Sequence, residues 1–369
     1  MNILGFNPSH HSSVCLLQDG EITHFIQEER IVRKKYIDYP FKSFINILQN
    51  YTIDYITWGS PSMTFYLWGN QHKRPYWGEI ARRFSPKVKY FDISNHHHLC
   101  HVAHSFYNSG FKKSLGIVID GMGSGYKDND NRETESIYVC SYPYKFDLLY
   151  KNIVNIRQKL NLSRAYETIT MHLGWDRNEA GKTMGLAPYG KFNPNLPNFF
   201  INNIANPNVF YVDVERNDPD FPYKAETFIN EEINPQLKLK THPKNWHYDE
   251  SQITNLEKDL AFRIQNGTQR LVEKYIEEAI KETGLKQVCC SGGYFLNCVA
   301  NYYLTKRFPN VEFYFEPVAN DAGTAIGAAK YLWYKLIQDT TIRPFKSLYL
   351  GKKYSKEELL EGIKKYVDN

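Results

Sequence analysis

Between residues 96 and 104 the chain carries five histidines, in the stretch NHHHLCHVAHSFY. Imidazole is a common metal ligand, and spacing decides whether two rings can reach one ion. His97 and His101 are four apart, so on a helix they share a face and can hold one cation. His98 and His101, three apart, meet the same condition, and a plain polar helix face is the other reading of the run. A metal needs a further ligand from elsewhere. Two carboxylates qualify: Asp120, which ends the apolar run LGIVID, and Asp321, which opens NDAGTAIGAA.

Three glycine turns suggest a phosphate-bearing ligand. Asp120 is followed by GMGSG, whose Gly121 and Gly123 let a ligand approach backbone N–H groups. Ser291, Gly292 and Gly293 begin SGGYFLN, which runs to Asn297 between a buried strand and a helix. EAGKTMGLAPYG places Lys182 among close-approach glycines such as Gly185, without the spacing of a P-loop. Each also reads as an ordinary turn. Near the start, PSHHSS sets His10 and His11 in a turn, and EERIVRKK offers Lys35 as a point charge for phosphate or as part of a solvated face. No nucleophile elbow or Ser-His-Asp order occurs. Histidines, carboxylates, glycine turns and lysines suit metal-assisted group transfer involving a nucleotide better than covalent catalysis.

The elements that must position these residues follow from the apolar pattern. NILGFNPSHHSSVCLLQDGEITHFIQEER reads as three strands, the last two joined by a tight Asp19-Gly20 turn. PFKSFINILQN reads as a helix and DYITWG as a strand. A second set of strands starts at SLGIVIDGMGSG and continues through ESIYVCSYPY and DLLYKNIVNI. The chain thus opens twice in the same way, which predicts two related lobes. Residues 190–250, rich in Asn and Pro, predict a long irregular excursion. Leu256, Leu260, Ile264, Leu271 and Tyr275 recur at helical spacing and predict a long helix from Ile253 to Thr283. The strand QVCCSGG, the helix NCVANYYLTKRF, the strand VEFYFEPV and the helix opened by Asn320-Asp321 complete an α/β pattern.

With 369 residues, 42% of them hydrophobic, the chain can bury two compact lobes. A net charge of +5 is too mild to demand nucleic acid. No run approaches the length of a membrane span, and the opening lacks a signal-peptide pattern, so a cytoplasmic location is expected. The six cysteines form no Cys-x-x-Cys pair, which argues against a disulfide framework and a thiolate zinc site.

In order along residues 3 to about 330, the blocks GFNPSHHSSVCLLQDGEI with QEERIVRKK, HHLCHVAHSFYNSGF, VIDGMGSG, EAGKTMGLAPYG, SGGYFLNCVAN and EPVANDAGTAIGAA resemble the O-carbamoyltransferase family. Six ordered blocks are far more specific than any one of them. The resemblance implies an actin/sugar-kinase/Hsp70-like fold of two duplicated lobes around a nucleotide cleft. It implies carbamoyl transfer from carbamoyl-adenylate, itself made from carbamoyl phosphate and ATP, to a hydroxyl of a small-molecule or nucleoside-type acceptor. By position, His97, His101 and Asp321 resemble ligands of Fe(II) or another divalent metal. Asp120 would sit beside the metal and the adenylate, His10 would face the acceptor, and either is a catalytic candidate as the base that takes the acceptor's proton. The glycines at 121, 123, 292 and 293, with Ser291, would hold the adenylate, alongside Asn297, Lys35, Lys182 and Gly185. The sequence departs from the family's pattern at His11, where Asp is usual, at His104, and at the two aromatics of GGYFLN.

These expectations divide the chain into lobe I (1–112), lobe II (113–340) with the excursion at about 190–250, and the start of a truncated or absent C-terminal domain (341–369). The family continues there into an adenylate-forming domain, so a fragment, or a transferase half served by a separate adenylate-forming partner, is expected. A homodimer is possible and a membrane is not involved. DNA or tRNA is permitted, through Arg82-Arg83 and His72-Lys73-Arg74, but not favoured. The alternatives are a tRNA threonylcarbamoyladenosine transferase-like protein and a non-haem iron oxygenase, since two histidines and a carboxylate also make a facial triad.

Overall fold

The structure, a computed structural model, describes residues 1–59, 76–126, 128–214, 225–235, 237, 253–348 and 354–367. His72-Lys73-Arg74 and much of the second half of the Asn/Pro-rich segment lie outside these residues.

The first sheet contains β1 (Asn2–Asn7), β2 (Ser13–Gln18), β3 (Glu21–Gln27), β4 (Tyr55–Trp58) and β5 (Lys89–Asp92), in the order β3-β2-β1-β4-β5. Asp19 and Gly20 both adopt positive φ, the conformation that a two-residue turn between twisted strands needs. Helices α1 (Glu28–Val32), α2 (Phe41–Asn50) and α3 (Tyr76–Phe84) lie in its connections, and α4 (His97–Ser109) leaves it after β5. The strand KYFD of β5 and the helix YWGEIARRF of α3, four and nine residues long, are too short to stand out in the sequence.

The second sheet starts with β6 (Lys113–Ile119), β7 (Gly125–Tyr126), β8 (Asp128–Ser141) and β9 (Lys145–Asn155). Then come α5 (Leu162–His172), α6 (Ala180–Leu186) and two small hairpins, β10 (Phe200–Ile201) with β11 (Ile204–Ala205) and β12 (Phe210–Val214) with β13 (Ala225–Ile229). The excursion is therefore less irregular than its composition predicts. The long helix α7 (Asn255–Thr283) opens on a Thr254–Glu257 capping box and ends at Gly284 in the left-handed region. Strand β14 (Gln287–Ser291), α8 (Cys298–Arg307), β15 (Glu312–Phe315), α9 (Thr324–Ile337) and α10 (Lys356–Val367) complete the chain.

The two sheets repeat one plan. β1 pairs antiparallel with β2, β2 antiparallel with β3, β1 parallel with β4, and β4 parallel with β5. In the same manner β6 pairs antiparallel with β8, β8 antiparallel with β9, β6 parallel with β14, and β14 parallel with β15. The fold is the expected duplicated α/β architecture of the actin/sugar-kinase/Hsp70 type. Each half ends in a helix, α4 or α9, and these two carry the site.

The halves interleave. α4 packs on β6 and β14 of the second sheet, α9 on β1, β2 and β4 of the first, and α4 and α9 cross between them. One continuous core joins Ile3 and Leu17 of the first sheet, Val102 and Phe106 of α4, Val118 and Cys289 of the second sheet, and Ile326 and Leu332 of α9. The crossing is close because Gly327 lacks a side chain: a β-carbon there would overlap the Cys100 carbonyl oxygen.

Candidate active site

The site forms where the N-terminal ends of α4 and α9 meet the turns after β1 and β6. The first free N–H groups of α4 need acceptors, and the second sheet supplies them. The His97 amide donates to Ser124 Oγ (2.9 Å) and the His98 amide to Glu133 Oε1 (3.1 Å). Glu133 is tied in turn by Lys151 Nζ (2.6 Å). Despite its burial, the histidine and lysine beside it bring its carboxyl down to about 2. At the other helix, Asn320 caps the turn that carries Asp321, and Thr324 Oγ1 donates to the Asp321 carbonyl (2.7 Å).

Between these ends, four buried side chains converge, with one ligand atom from each of His97, His101, Asp120 and Asp321 all within 4.8 Å of one another. His97 Nε2 and His101 Nε2 are 3.2 Å apart. Asp321 Oδ1 lies 3.4 Å from His97 Nε2 and 3.5 Å from His101 Nε2, and Asp120 Oδ2 lies 3.6 Å from His97 Nε2. The carboxylate spacings are long for direct hydrogen bonds. They match the edges of a coordination shell, because ligands at about 2.1 Å from one ion stand roughly 3.0–3.5 Å from each other. Two imidazoles and two carboxylates fit a divalent cation with mixed nitrogen and oxygen preference.

The electrostatics of His97, Asp120 and Asp321 agree with a site built for positive charge. Burial opposes charging His97, but Asp321 and Asp120 outweigh it and raise the imidazole to about 10. Burial and the Asp321 charge oppose ionisation of Asp120, yet the two imidazoles hold its carboxyl well below the usual carboxylate range. Asp321 is likewise held down against its burial, chiefly by His97 and His101.

The other histidines of the run separate cleanly. His98 is buried with Nδ1 2.8 Å from Ser136 Oγ, and burial lowers it to about 4, so it is a neutral neighbour of the cluster. His104 is buried one turn below His101, with Nε2 3.3 Å from Glu316 Oε1. Burial keeps its imidazole neutral.

The remaining sequence-derived candidates fall into four groups. His10 is exposed at the opening, its ring 4.2 Å from that of His11, and near enough to influence Asp321 and Glu167 electrostatically. Gly121 and Gly293 border Asp120: the Gly293 amide donates to Asp120 Oδ1 (3.3 Å), and Glu167 Oε1 lies beside Gly121. Lys35, Lys182 and Gly185 are exposed, and Lys182 pairs with Glu179 Oε1 (2.7 Å). EAGKTMGLAPYG is mostly helical rather than a loop, because an Asp176–Glu179 capping box starts a turn that runs into α6.

The fourth group has structural partners. Gly123 is buried against His98 and Glu133. Gly292 has φ +98° and packs on Ile119, where a side chain has no room. Asn297 caps α8 through the Ala300 amide (2.9 Å) and exchanges hydrogen bonds with Gln265. Ser291 Oγ is 3.2 Å from His101 Nδ1.

Several residues of the site are invisible in sequence. Ser9 Oγ donates to Asp321 Oδ2 (3.1 Å). Asn161 caps α5 and donates to the Gly121 carbonyl (2.8 Å), which docks α5 and its Glu167 on the Asp120 turn. Polar residues in turns are too common to single these out beforehand. Cys298, at the start of α8, is exposed and has its sulfur 3.9 Å from that of Met184 on α6.

The family profile described as Carbamoyltransferase N-terminus matches residues 54–330. The chain belongs to this carbamoyltransferase N-terminal family. Its relatives include nodulation protein NolNO of Sinorhizobium fredii, 25% identical over 95% of this chain and 50% of that protein. An uncharacterised protein of Synechocystis sp. is 26% identical over 98% of this chain and 62% of its own length. The chain thus spans about half to three-fifths of these relatives. Full-length HypF in a phosphate- and nucleotide-bound form shares the fold, with a TM-score of 0.54 and 14% identity over 91% of this chain and 46% of that one. All four converging residues lie inside the matched family region. Among the described residues no helix is long and apolar enough to cross a membrane.

Proposed function

We propose that this chain transfers a carbamoyl group from carbamoyl-adenylate, formed from carbamoyl phosphate and ATP, to a hydroxyl group. The observation that carries this reading is the convergence of His97, His101, Asp120 and Asp321 from both halves of the fold, in a member of the carbamoyltransferase N-terminal family. A divalent cation, Fe(II) or a similar metal, held by these residues would supply positive charge for a phosphate or for the carbonyl oxygen that gains charge during attack.

The chain's own groups divide the remaining work. The acceptor hydroxyl is a poor nucleophile at neutral pH and must lose its proton as it attacks the carbamoyl carbon. His10, at the opening, can take that proton through its imidazole. Asp120 is already engaged by His97 and the Gly293 amide, so its part is to fix the floor of the site. The new C–O bond forms as the carbamoyl–phosphate bond breaks, and AMP leaves with the electron pair. The turn at Gly121 and Gly293 and the exposed glycine face of α6 would leave the nucleotide room for a close backbone approach.

The activity calls for an adenylate-forming component, supplied by a partner or by further chain. A cytoplasmic setting and a hydroxylated small molecule or nucleoside as acceptor complete the proposal. The oxygenase alternative requires a barrel, whereas this ligand set sits between two helices of a two-sheet fold. To test the proposal, the chain is incubated with synthetic carbamoyl-adenylate and a panel of alcohols. The expected result is a carbamoylated product detected by mass spectrometry, and its loss in His97→Ala. No transfer to any alcohol, with an adenylate-forming component also present, would overturn it.

A further inference from the structure

Asp321 uses its two oxygens differently. Oδ1 faces both histidines, at 3.4 and 3.5 Å, while Oδ2 accepts a hydrogen bond from Ser9 Oγ at 3.1 Å. Ser9 is itself fixed from both sides by Asn7, whose side-chain amide donates to Ser9 Oγ (2.9 Å) and whose Oδ1 accepts from the Ser9 backbone (3.1 Å). Because the Asn7 amide fills the acceptor side of the hydroxyl, the Ser9 proton is directed at Asp321. On the opposite wall, His101 turns Nε2 to the cluster and Nδ1 to Ser291 Oγ, 3.2 Å away. A ligating Nε2 must be a bare lone pair, so the ring proton sits on Nδ1 and Ser291 accepts it. Both serines are buried, Ser9 at 7% exposure and Ser291 at 0%, so neither hydrogen bond competes with bulk water.

We infer that Ser9 and Ser291 are positioning residues of the metal centre, Ser9 holding Asp321 to one-oxygen ligation and Ser291 selecting the ligating tautomer of His101. This rests on the metal-binding reading above. It removes Ser291 from the nucleotide contacts that its place in the SGG turn suggests, and it gives PSHHSS a second role beside that of His10. The two serines come from different halves of the fold, one from the turn after β1 in the first sheet and the other from the end of β14 in the second. Each half of the fold thus steadies a ligand carried by a terminal helix: the first half acts on the α9 turn, the second on α4.

Cobalt(II) is the probe, because its visible absorption reports ligand geometry without turnover. Metal-free wild type, Ser9→Ala, Ser291→Ala and Ser105→Ala are titrated with cobalt chloride, with thermal unfolding in chelator as the check on folding. Ser105 is the control: it lies on the same helix, and its hydroxyl bonds the main-chain carbonyls of His101 and Val102 and the Cys289 thiol, none of them a side chain of the cluster. Ser9→Ala and Ser291→Ala are expected to weaken cobalt binding about 10–100-fold and to change the spectrum, while Ser105→Ala matches wild type. AMP binding by Ser291→Ala should be unchanged. Wild-type cobalt binding with unaltered affinity and spectrum in a serine variant overturns the role of that serine alone. Equal weakening in Ser105→Ala, or loss of AMP affinity with cobalt affinity kept in Ser291→Ala, also counts against it. Failure of the wild type to bind cobalt overturns the metal reading together with this inference. The serines are tested separately, so if one variant does not fold the other decides.

Discussion

Glu316 is a fully enclosed carboxyl group beneath the site, beside the neutral imidazole of His104. Asn108 Nδ2 donates to it at 3.0 Å, and Asn108 Oδ1 accepts from the buried Lys330 at 2.7 Å, so one amide joins the two ionisable groups. Burial raises Glu316 from 4.5 to about 7, its hydrogen bonds and Lys330 only partly offsetting the cost of the charge. The folded chain therefore holds a proton there that the unfolded chain releases earlier. Its contribution to stability is complete below about pH 4.5 and is lost as pH rises to about 7. Denaturant midpoints measured across this range should show wild type losing stability with rising pH relative to Glu316→Gln. Parallel curves would show that Glu316 titrates normally. At this scale, sequence exposes the four converging residues only in part. The i, i+4 spacing marks His97 and His101, and a carboxylate at an element's end marks Asp120 and Asp321. Asp321, which Ser9 bonds, and Asn108, which bonds Glu316, lie hundreds of positions away in the chain from those residues, so no local pattern reveals these contacts.

Helix contacts decide which glycines matter. Adding a methyl at Gly327 forces α9 away from the Cys100 carbonyl, and with it the converging side chains at both helix ends. Gly327→Ala should destabilise the chain by about 1–3 kcal/mol or more, as overpacking does. Gly185, on α6, has nothing within 4 Å of where its β-carbon would lie. Gly185→Ala should therefore stabilise the free chain by about 0.5–1 kcal/mol, and it should weaken AMP binding if α6 lines the nucleotide. Unfolding curves with and without AMP measure both effects. Elements with local signals are legible in the sequence: the Asp19-Gly20 turn, the Thr254–Glu257 capping box and the apolar stripe of α7 each fix their own geometry. The α4–α9 crossing has no such signal. It joins segments more than two hundred residues apart through missing β-carbons, at Gly327 against Cys100 and at Gly323 against His104, and only the assembled fold makes those absences meaningful.

As a whole, the molecule is two copies of one sheet plan that have exchanged support. The inner face of the first sheet is covered by α9, which the chain reaches only after building the second sheet. A fragment of residues 1–112 would expose that face, so it should show little cooperative unfolding by circular dichroism; a sharp transition would mean that lobe I folds alone. The cysteines extend this to labelling. Five of the six are buried, and Cys298 is exposed between α8 and the glycine face of α6. A thiol-reactive dye should therefore attach once per native chain without any engineering, and six times after denaturation. Placed there, it turns the natural protein into its own optical gauge of the proposed cleft, with fluorescence expected to change if an adenylate enters beside α6.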